Sequence, residues 1–486
     1  MVRVRFAPSP TGNLHIGGLR TAFFNWLFAK HHGGKFLLRI EDTDVERSTA
    51  TYQQAIIDAF AWVRIAADEP IVIQSQRLAE HQCLAKQLLA AGKAYKCFCT
   101  PAELDARLAQ HHGIVNESDR KYDGYCRTAA AVATQEQANK PYAIRFAMPD
   151  GDAELVVEDI IRGTVTFPRE QFDDFVIVRS DGTPMYNFVV VADDHAMAIT
   201  HVIRGEEHLI NTPKQMLLYQ AFGWQVPYFA HLPLILAPSG AKLSKRDAAT
   251  SVIDYQQQGY LPDALLNYLV RLGWSHGDQE IFSREELIRY FTLDTIGKKG
   301  SIFDSAKLNW LNNQYMQQIG AHELMTAIQD NVWPDWLAHM PAFSREQVVE
   351  LVSLYKERVA TLRQLAAVIA AVAEVPRAYD MVAMAPYLTP TLLPSLQVLM
   401  QELQAIAVWD LATVTATIKR VAQSQGVALP MIAHPLRCAL VGTVTSPSIF
   451  ALVTTISRPI VLSRIARFIE YLESTVEHAA LKGGSA

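Results

Sequence analysis

The most constraining feature of this chain is its opening stretch, from Arg3 to His31. The alternating run Arg3-Val4-Arg5-Phe6-Ala7 predicts a strand, and Pro8-Ser9-Pro10-Thr11-Gly12-Asn13 predicts a punctuated loop. Leu19, Phe23, Phe24, Leu27 and Phe28 then recur at spacings of three to four, which predicts a helix with one apolar face. His15, Gly17 and Gly18 fall where the loop becomes the helix. A strand, a tight loop and a helix N-terminus make an anion site, because unpaired backbone N–H groups and the helix dipole converge there. The two glycines admit a phosphate or a base close to the backbone, and His15 adds a donor. Taken alone, the stretch also fits a buried αβ unit with a satisfied histidine. The spacing matches neither G-x-G-x-x-G nor G-x-x-x-x-G-K-[ST].

Length and composition set the frame. A chain of 486 residues is expected to hold about three or more domain-sized units. Half of it is hydrophobic, enough for a sizeable core. The first residues lack the apolar core of a signal peptide, and no apolar run approaches membrane-spanning length. A soluble cytoplasmic protein with no membrane partner is expected. The net charge of −5 lacks the basic footprint usual for nucleic-acid binding, although a basic stripe can coexist with an acidic remainder. Five cysteines, an odd number, do not read as a disulfide framework.

Along the chain, Lys35 to Ile40 predicts a buried strand that ends in the acidic loop Glu41-Asp42-Thr43-Asp44. Helices are expected over Tyr52 to Val63 and Arg77 to Ala91. Alternating strands and helices imply a parallel sheet with its ligands at the carboxyl ends of the strands, where Glu41 lies. From Tyr95 to Phe188 the pattern becomes cysteine- and glycine-punctuated, with short β runs, as in an insertion between two halves of a nucleotide-binding fold. The sheet pattern is expected to resume with strands at Tyr186 to Val191 and Ile199 to Gly205, followed by a helix entered through Thr212-Pro213. From about Asn313 onward only helical patterns appear.

His15-Ile16-Gly17-Gly18, preceded by Ala7-Pro8-Ser9-Pro10-Thr11-Gly12, resembles the HIGH signature of class I aminoacyl-tRNA synthetases, specifically the glutamyl/glutaminyl branch. Far downstream, Lys242-Leu243-Ser244-Lys245-Arg246 resembles the partner KMSKS signature. Two lysines on a mobile loop can neutralise charge as pyrophosphate leaves. A helical C-terminal region is similar to that of the bacterial glutamyl enzymes, whereas the glutaminyl relatives carry β-barrels.

The resemblance implies an α/β fold: a class I Rossmann-like parallel-sheet catalytic domain with a mixed α/β insertion, followed by an all-α anticodon-binding region. The expected divisions are 1–94 and 189–237 for the catalytic halves and 95–188 for an insertion gripping the acceptor end of tRNA. Residues 238–313 would form the KMSKS-type loop and stem-contact region, and 314–486 the helical anticodon-binding part. The implied reaction joins glutamate to tRNA through glutamyl-adenylate, with ATP and Mg2+ as substrate complex and glutamate tRNA as partner, in a monomer. His15, Lys242 and Lys245 would be catalytic; Pro8, His15, Gly17, Gly18 and Lys245 would hold ATP. Arg5, Arg204 and Tyr186 would bind the carboxylates of glutamate, and Ser9 and Glu41 its α-amino group. Val190 stands where some relatives carry a polar side chain, which leaves the α-carboxylate contact open. Arg358 falls in the anticodon-reading region, within a wider set of basic candidates: Lys356, Arg363, Lys419, Arg420, Arg437, Arg464 and Arg467.

Cys97, Cys99 and Cys126 place three thiols within thirty residues, which suits tetrahedral zinc given a fourth ligand. Zinc-bearing relatives show C-x-C followed by C-x-H, but Thr128 stands at the histidine position. Tyr122 offers a phenolate instead, as in the shortened queuosine-modifying relatives, and three free thiols remain the other reading. Other readings of the whole chain are a synthetase that also charges glutamine tRNA, a glutaminyl enzyme and a small-acid adenylyltransferase. The KLSKR partner and the long helical tail argue against the last of these.

Overall fold

The structure, a computed structural model, describes residues 1–43, 47–112, 121–128, 140–151, 153–243 and 251–483. Lys245, Ser244 and Arg246 lie outside the described residues. The chain divides into two compact units, one made of residues 1–253 and 266–304, the other of 254–265 and 305–486.

In the first unit, β1 (Arg3–Phe6), β2 (Lys35–Ile40) and β3 (Val72–Ile73) form a parallel sheet with β2 central. A second sheet has the order β7 (Gly163–Pro168), β6 (Glu154–Asp159), β10 (Tyr228–Leu232) and β9 (His201–Gly205). Its β6, β10 and β9 run parallel, and β6–β7 is a hairpin. The root of β9 is tied to β1: Thr200 N donates to Arg3 O at 2.9 Å, and Arg3 N donates to Thr200 Oγ1 at 2.9 Å. The crevice where two such halves meet is where open α/β sheets take their ligands.

The connecting helices are α1 (Ile16–His31), α2 (Ala50–Trp62) and α3 (Leu78–Ala90). Where one apolar face was expected, α1 is buried nearly all round. Its buried residues include Arg20, Asn25 and Trp26 besides the predicted stripe. Arg20 satisfies its charge on two carbonyls, Leu272 O at 2.9 Å and Pro233 O. Asn25 Nδ2 donates to Ile203 O at 3.0 Å and so pins β9 against the helix.

The segment after β4 (Ala94–Cys97) contains α4 (Pro101–His112), β5 (Ala143–Phe146) and β8 (Val176–Val178). Strands β4, β5 and β8 pair antiparallel, with β5 in the middle.

Tyr186 to Val191 corrects the sequence reading. It is not a strand but the first half of α5 (Tyr186–Ala196). Phe188 through Asp194 are all buried, so the stretch has neither the alternation of a half-exposed strand nor a polar helix face, and its valines bias the reading toward β. After β9, a 3-10 turn leads into α6 (Thr212–Phe222), with proline in its first turn as expected. The short strands β11 (Ile235–Leu236) and β12 (Ser301–Ile302) pair parallel beyond it.

The second unit shows only helices among its described residues, and its long segment runs from the helix Ser305–Gln318 to the helix Arg458–Gly483. Its core is continuous, from Leu324 and Trp336 through Leu396 and Leu436 to Phe468. Arg464 is not on a basic face. It is 1% exposed and donates to Leu440 O at 2.6 Å, Val372 O at 2.8 Å and Ala373 O at 3.0 Å, capping two helix ends. Lys356 is similarly engaged, on Gln317 O and Ile319 O. No single helix among the described residues is long and apolar enough to cross a membrane.

Candidate active site

The carboxyl ends of β1, β2 and β9 surround a cavity of about 200 Å3. Arg5, Phe6 and Ala7 enter from β1, Gly17, Gly18 and Thr21 from the start of α1, and Glu41 from the end of β2. Tyr186 comes from the start of α5, Arg204 from β9, and Glu207 and His208 from the turn that follows. Six residues singled out in the sequence therefore line one cavity: Arg5, Gly17, Gly18, Glu41, Tyr186 and Arg204. A side chain at Gly18 would press on Leu14 at 3.1 Å and on Phe6 at 3.4 Å, so glycine lets the helix start sit close to β1 without displacing either.

His15, Pro8 and Ser9 stand outside the lining. His15 is the N-cap of α1: its Nδ1 accepts the Gly17 N–H at 3.0 Å. A nitrogen that accepts cannot carry the proton, so the neutral ring holds its proton on Nε2. Pro8 O accepts from Glu41 N at 2.9 Å, which joins the loop to the end of β2, and Ser9 is exposed. Val190 is buried and is not among the lining residues. Lys242 is exposed, with Nζ 3.8 Å from Glu207 at the cavity edge.

Behind the lining lies a charge network that the sequence reading did not anticipate. Asp194 Oδ1 accepts from Arg5 Nε at 3.0 Å and from Arg39 Nη1 at 2.6 Å. Arg39 also donates from Nη2 to Glu41 Oε1 at 2.9 Å. Burial opposes the charge on Asp194, but Arg5 and Arg39 outweigh it and hold the carboxyl below its usual range. For Glu41 burial wins over Arg39 and Arg5, and the carboxyl is pushed up. A cationic ligand beside it would draw the carboxyl back down, toward its charged form. The neighbouring Asp193 accepts from Gln74, Arg77 and His81 at 2.7 to 2.8 Å.

Arg204 is 5% exposed, and burial pulls its guanidinium down to about 10, still charged at neutral pH. Its Nε donates to His231 Nε2 at 3.1 Å and its Nη2 to Thr212 Oγ1 at 2.9 Å. Its buried Nη1 has no hydrogen-bond partner among the described residues. A buried donor without a partner is costly, and an acceptor oxygen on a ligand of the cavity that Arg204 lines would satisfy it. His208 Nδ1 lies 3.2 Å from the Tyr186 hydroxyl. Burial, with Arg204 nearby, lowers His208 to about 4, so the ring is neutral at neutral pH.

A second cluster sits at the end of β4. The sulfurs of Cys97, Cys99 and Cys126 lie within 4.8 Å of one another, with Cys99 and Cys126 at 3.4 Å. The Tyr122 hydroxyl is 3.6 Å from Cys97 Sγ and 3.9 Å from Cys99 Sγ, while Thr128 is exposed. Arg145 stacks over the Tyr122 ring at 3.8 Å, and Arg107 Nη2 reaches Cys99 Sγ at 2.9 Å.

Fold and site together define a class of protein. Residues 1–310 match the family model described as tRNA synthetases class I (E and Q), catalytic domain, and 321–469 match an anticodon binding domain. The chain belongs to the class I tRNA synthetases of that type. A glutamate–tRNA ligase of Thermodesulfovibrio yellowstonii is 43% identical over 478 residues, covering 97% of this chain and 100% of the relative. One from Afipia carboxidovorans is 45% identical, covering 96% and 98%. A solved glutamate tRNA ligase from Elizabethkingia meningosepticum, in complex with its amino acid, superposes with a TM-score of 0.86 at 34% identity, over 96% of this chain and 99% of that one. Within the class, this chain is a member of the glutamate–tRNA ligase family.

Proposed function

We infer that the protein ligates glutamate to tRNA in two steps, ATP-dependent formation of glutamyl-adenylate and transfer to a ribose hydroxyl at the tRNA 3' end. The observation that carries the amino-acid assignment is the pair of buried arginines, Arg5 and Arg204, on one cavity with Glu41, the Arg204 Nη1 being unpartnered. Guanidinium groups suit the two carboxylates of glutamate, and Glu41 with Ser9 suits its ammonium. Glutamine would set a neutral amide against a buried cation, which supplies the discrimination.

No covalent enzyme intermediate is needed, since positioning and charge stabilisation suffice. Gly17 and Gly18 admit the nucleotide, Pro8 shapes its loop, and His15 Nε2–H donates to the triphosphate of Mg2+-bound ATP. Lys242 and Lys245 neutralise the departing pyrophosphate. In the second unit, Arg358, Lys419 and Arg467 are exposed and serve the anticodon end of the tRNA. The working form proposed is a monomer in the cytoplasm, as the resemblance of the sequence implies. The test is glutamate-dependent pyrophosphate exchange, measured with and without tRNA. Exchange that appears only with tRNA supports the assignment to this branch; full-rate exchange without tRNA overturns it.

We also propose that Cys97, Cys99, Cys126 and Tyr122 hold zinc. Four ligands at zinc's usual bond lengths place the sulfurs about 3.8 Å apart, and the thiols and phenol already stand near that spacing. Bound there, zinc would fix the end of β4 to the turn at Cys126, a structural role with no part in the transfer chemistry.

A further inference from the structure

Arg204 is the one buried arginine of the amino-acid cavity that does not lean on a carboxylate directly. Its Nε faces a ring nitrogen instead, His231 Nε2, at 3.1 Å. An arginine Nε can only donate, so His231 Nε2 must accept and the ring's proton must sit on Nδ1. Nδ1 lies 2.6 Å from Asp159 Oδ2. Asp159 is itself fixed: its Oδ1 accepts the backbone N–H groups of Ile161 at 3.0 Å and Arg162 at 2.8 Å. The three side chains come from adjacent parallel strands, Asp159 on β6, His231 on β10 and Arg204 on β9. His231 and Asp159 are almost wholly buried, 0% and 4% exposed, and neither lines the cavity.

We propose that Asp159 and His231 are positioning residues for glutamate recognition: the carboxylate fixes the Nδ1–H tautomer of His231, whose Nε2 lone pair then orients Arg204 so that Nη1 faces the substrate carboxylate. This rests on the reading that Arg204 binds a carboxylate of glutamate. The arrangement explains why a histidine is buried between an acid and an arginine that do not touch. A ring with its proton on Nε2 would point a donor at a donor, and the guanidinium would have to turn. Thr212 completes the hold, accepting Arg204 Nη2 while its hydroxyl lies 3.3 Å from the same Nε2. With Nε and Nη2 both occupied, Nη1 is the nitrogen left for a ligand.

Asp159→Asn isolates the tautomer from the packing. The asparagine oxygen can keep the backbone bonds from Ile161, Arg162 and His231, but its amide must donate to Nδ1 and so forces the proton onto Nε2. The expected result in steady-state aminoacylation is a KM for glutamate raised roughly ten- to hundredfold, the range for losing a hydrogen bond to a charged group, with KM for ATP and the melting temperature little changed. His231→Gln, whose amide can donate to Asp159 and accept from Arg204, should restore most of the affinity, whereas His231→Leu should behave like Asp159→Asn. Independently of any variant, 15N NMR of histidine-labelled protein should show His231 as the Nδ1–H tautomer. A folded Asp159→Asn protein with glutamate KM within about twofold of wild type, or His231 found as Nε2–H, overturns the proposal. Arg204→Gln run alongside separates the two readings. If it leaves glutamate KM unchanged, the carboxylate assignment fails; if it raises KM while Asp159→Asn does not, only the positioning role fails.

Discussion

Arg39 donates through Nη1 to Asp194 Oδ1 at 2.6 Å, and both side chains are shut away from solvent, at 0% and 2% exposure. Through its other nitrogen Arg39 holds Glu41, and through its other contact Asp194 holds Arg5. One buried pair therefore ties two groups of the cavity wall that are expected to touch the amino acid. Removing one partner of a buried pair strands the other charge, which costs about 3–5 kcal/mol. Asp194→Asn is expected to lower the stability of the protein by that order in urea unfolding and to weaken glutamate binding. A variant that unfolds like wild type, with an unchanged KM for glutamate, would show that the network does not organise the site.

Away from the site, Glu69 Oε1 accepts from Arg3 Nη1 at 2.7 Å and from Lys35 Nζ at 2.8 Å. The Arg3 and Lys35 bonds hold its carboxyl down from 4.5 to about 2. A carboxyl depressed by folding contributes stability that is present above its unfolded pKa and lost as pH falls toward the folded one. The stability advantage of wild type over Glu69→Gln should thus be full at pH 6 and shrink progressively below about 4.5. Melting temperatures measured from pH 6 to 3 check this; a gap that stays constant across the range would refute the pairing.

Lys245 is assigned to charge that develops as pyrophosphate leaves. Lys245→Ala is expected to lower turnover by about two to three orders of magnitude, the range for one preorganised donor. KM for glutamate should move little, because the lysine serves the phosphates. Near-normal turnover with weakened glutamate binding would reverse the assignment.

The organisation of the site was legible where local chemistry dictates it. Proline and glycine punctuate the loop before α1, and Arg5, Glu41 and Arg204 stand at or beside the ends of runs that do form strands. The helix α5 was read as a strand because Phe188 through Asp194 are all buried, and such a run carries no period to read. The partners Asp194, His231 and Asp159 went unread because the contacts are distant in sequence: Asp194 meets Arg5 across 189 residues, His231 meets Arg204 across 27, and Asp159 meets His231 across 72. A signal was present nonetheless. Arg39 inside Phe36–Ile40, and Asp193-Asp194 directly after Val189-Val190-Val191-Ala192, are charges within apolar runs, and buried charge requires a partner.

Zinc at the cysteine cluster makes the most exposed prediction, because the fourth ligand would be a tyrosine. Burial pushes the Cys99 thiol up to about 12, and burial likewise raises the Tyr122 phenol. Cys97 goes the other way: burial opposes ionisation, but hydrogen bonds from the Cys99 backbone and from Arg145 lower it. Without a metal, these groups would not all ionise near neutral pH, so zinc binding has to release protons and should weaken as pH falls. Protein purified without chelator is expected to carry one zinc per chain by elemental analysis, and its three clustered thiols should react slowly until a chelator is added. Tyr122→Phe keeps the ring beneath Arg145 but removes the oxygen, so it should lose zinc faster to a chelator while pyrophosphate exchange stays largely intact. Well under one zinc per chain, with all three thiols freely reactive, would leave the cluster as three reduced cysteines packed at the end of β4.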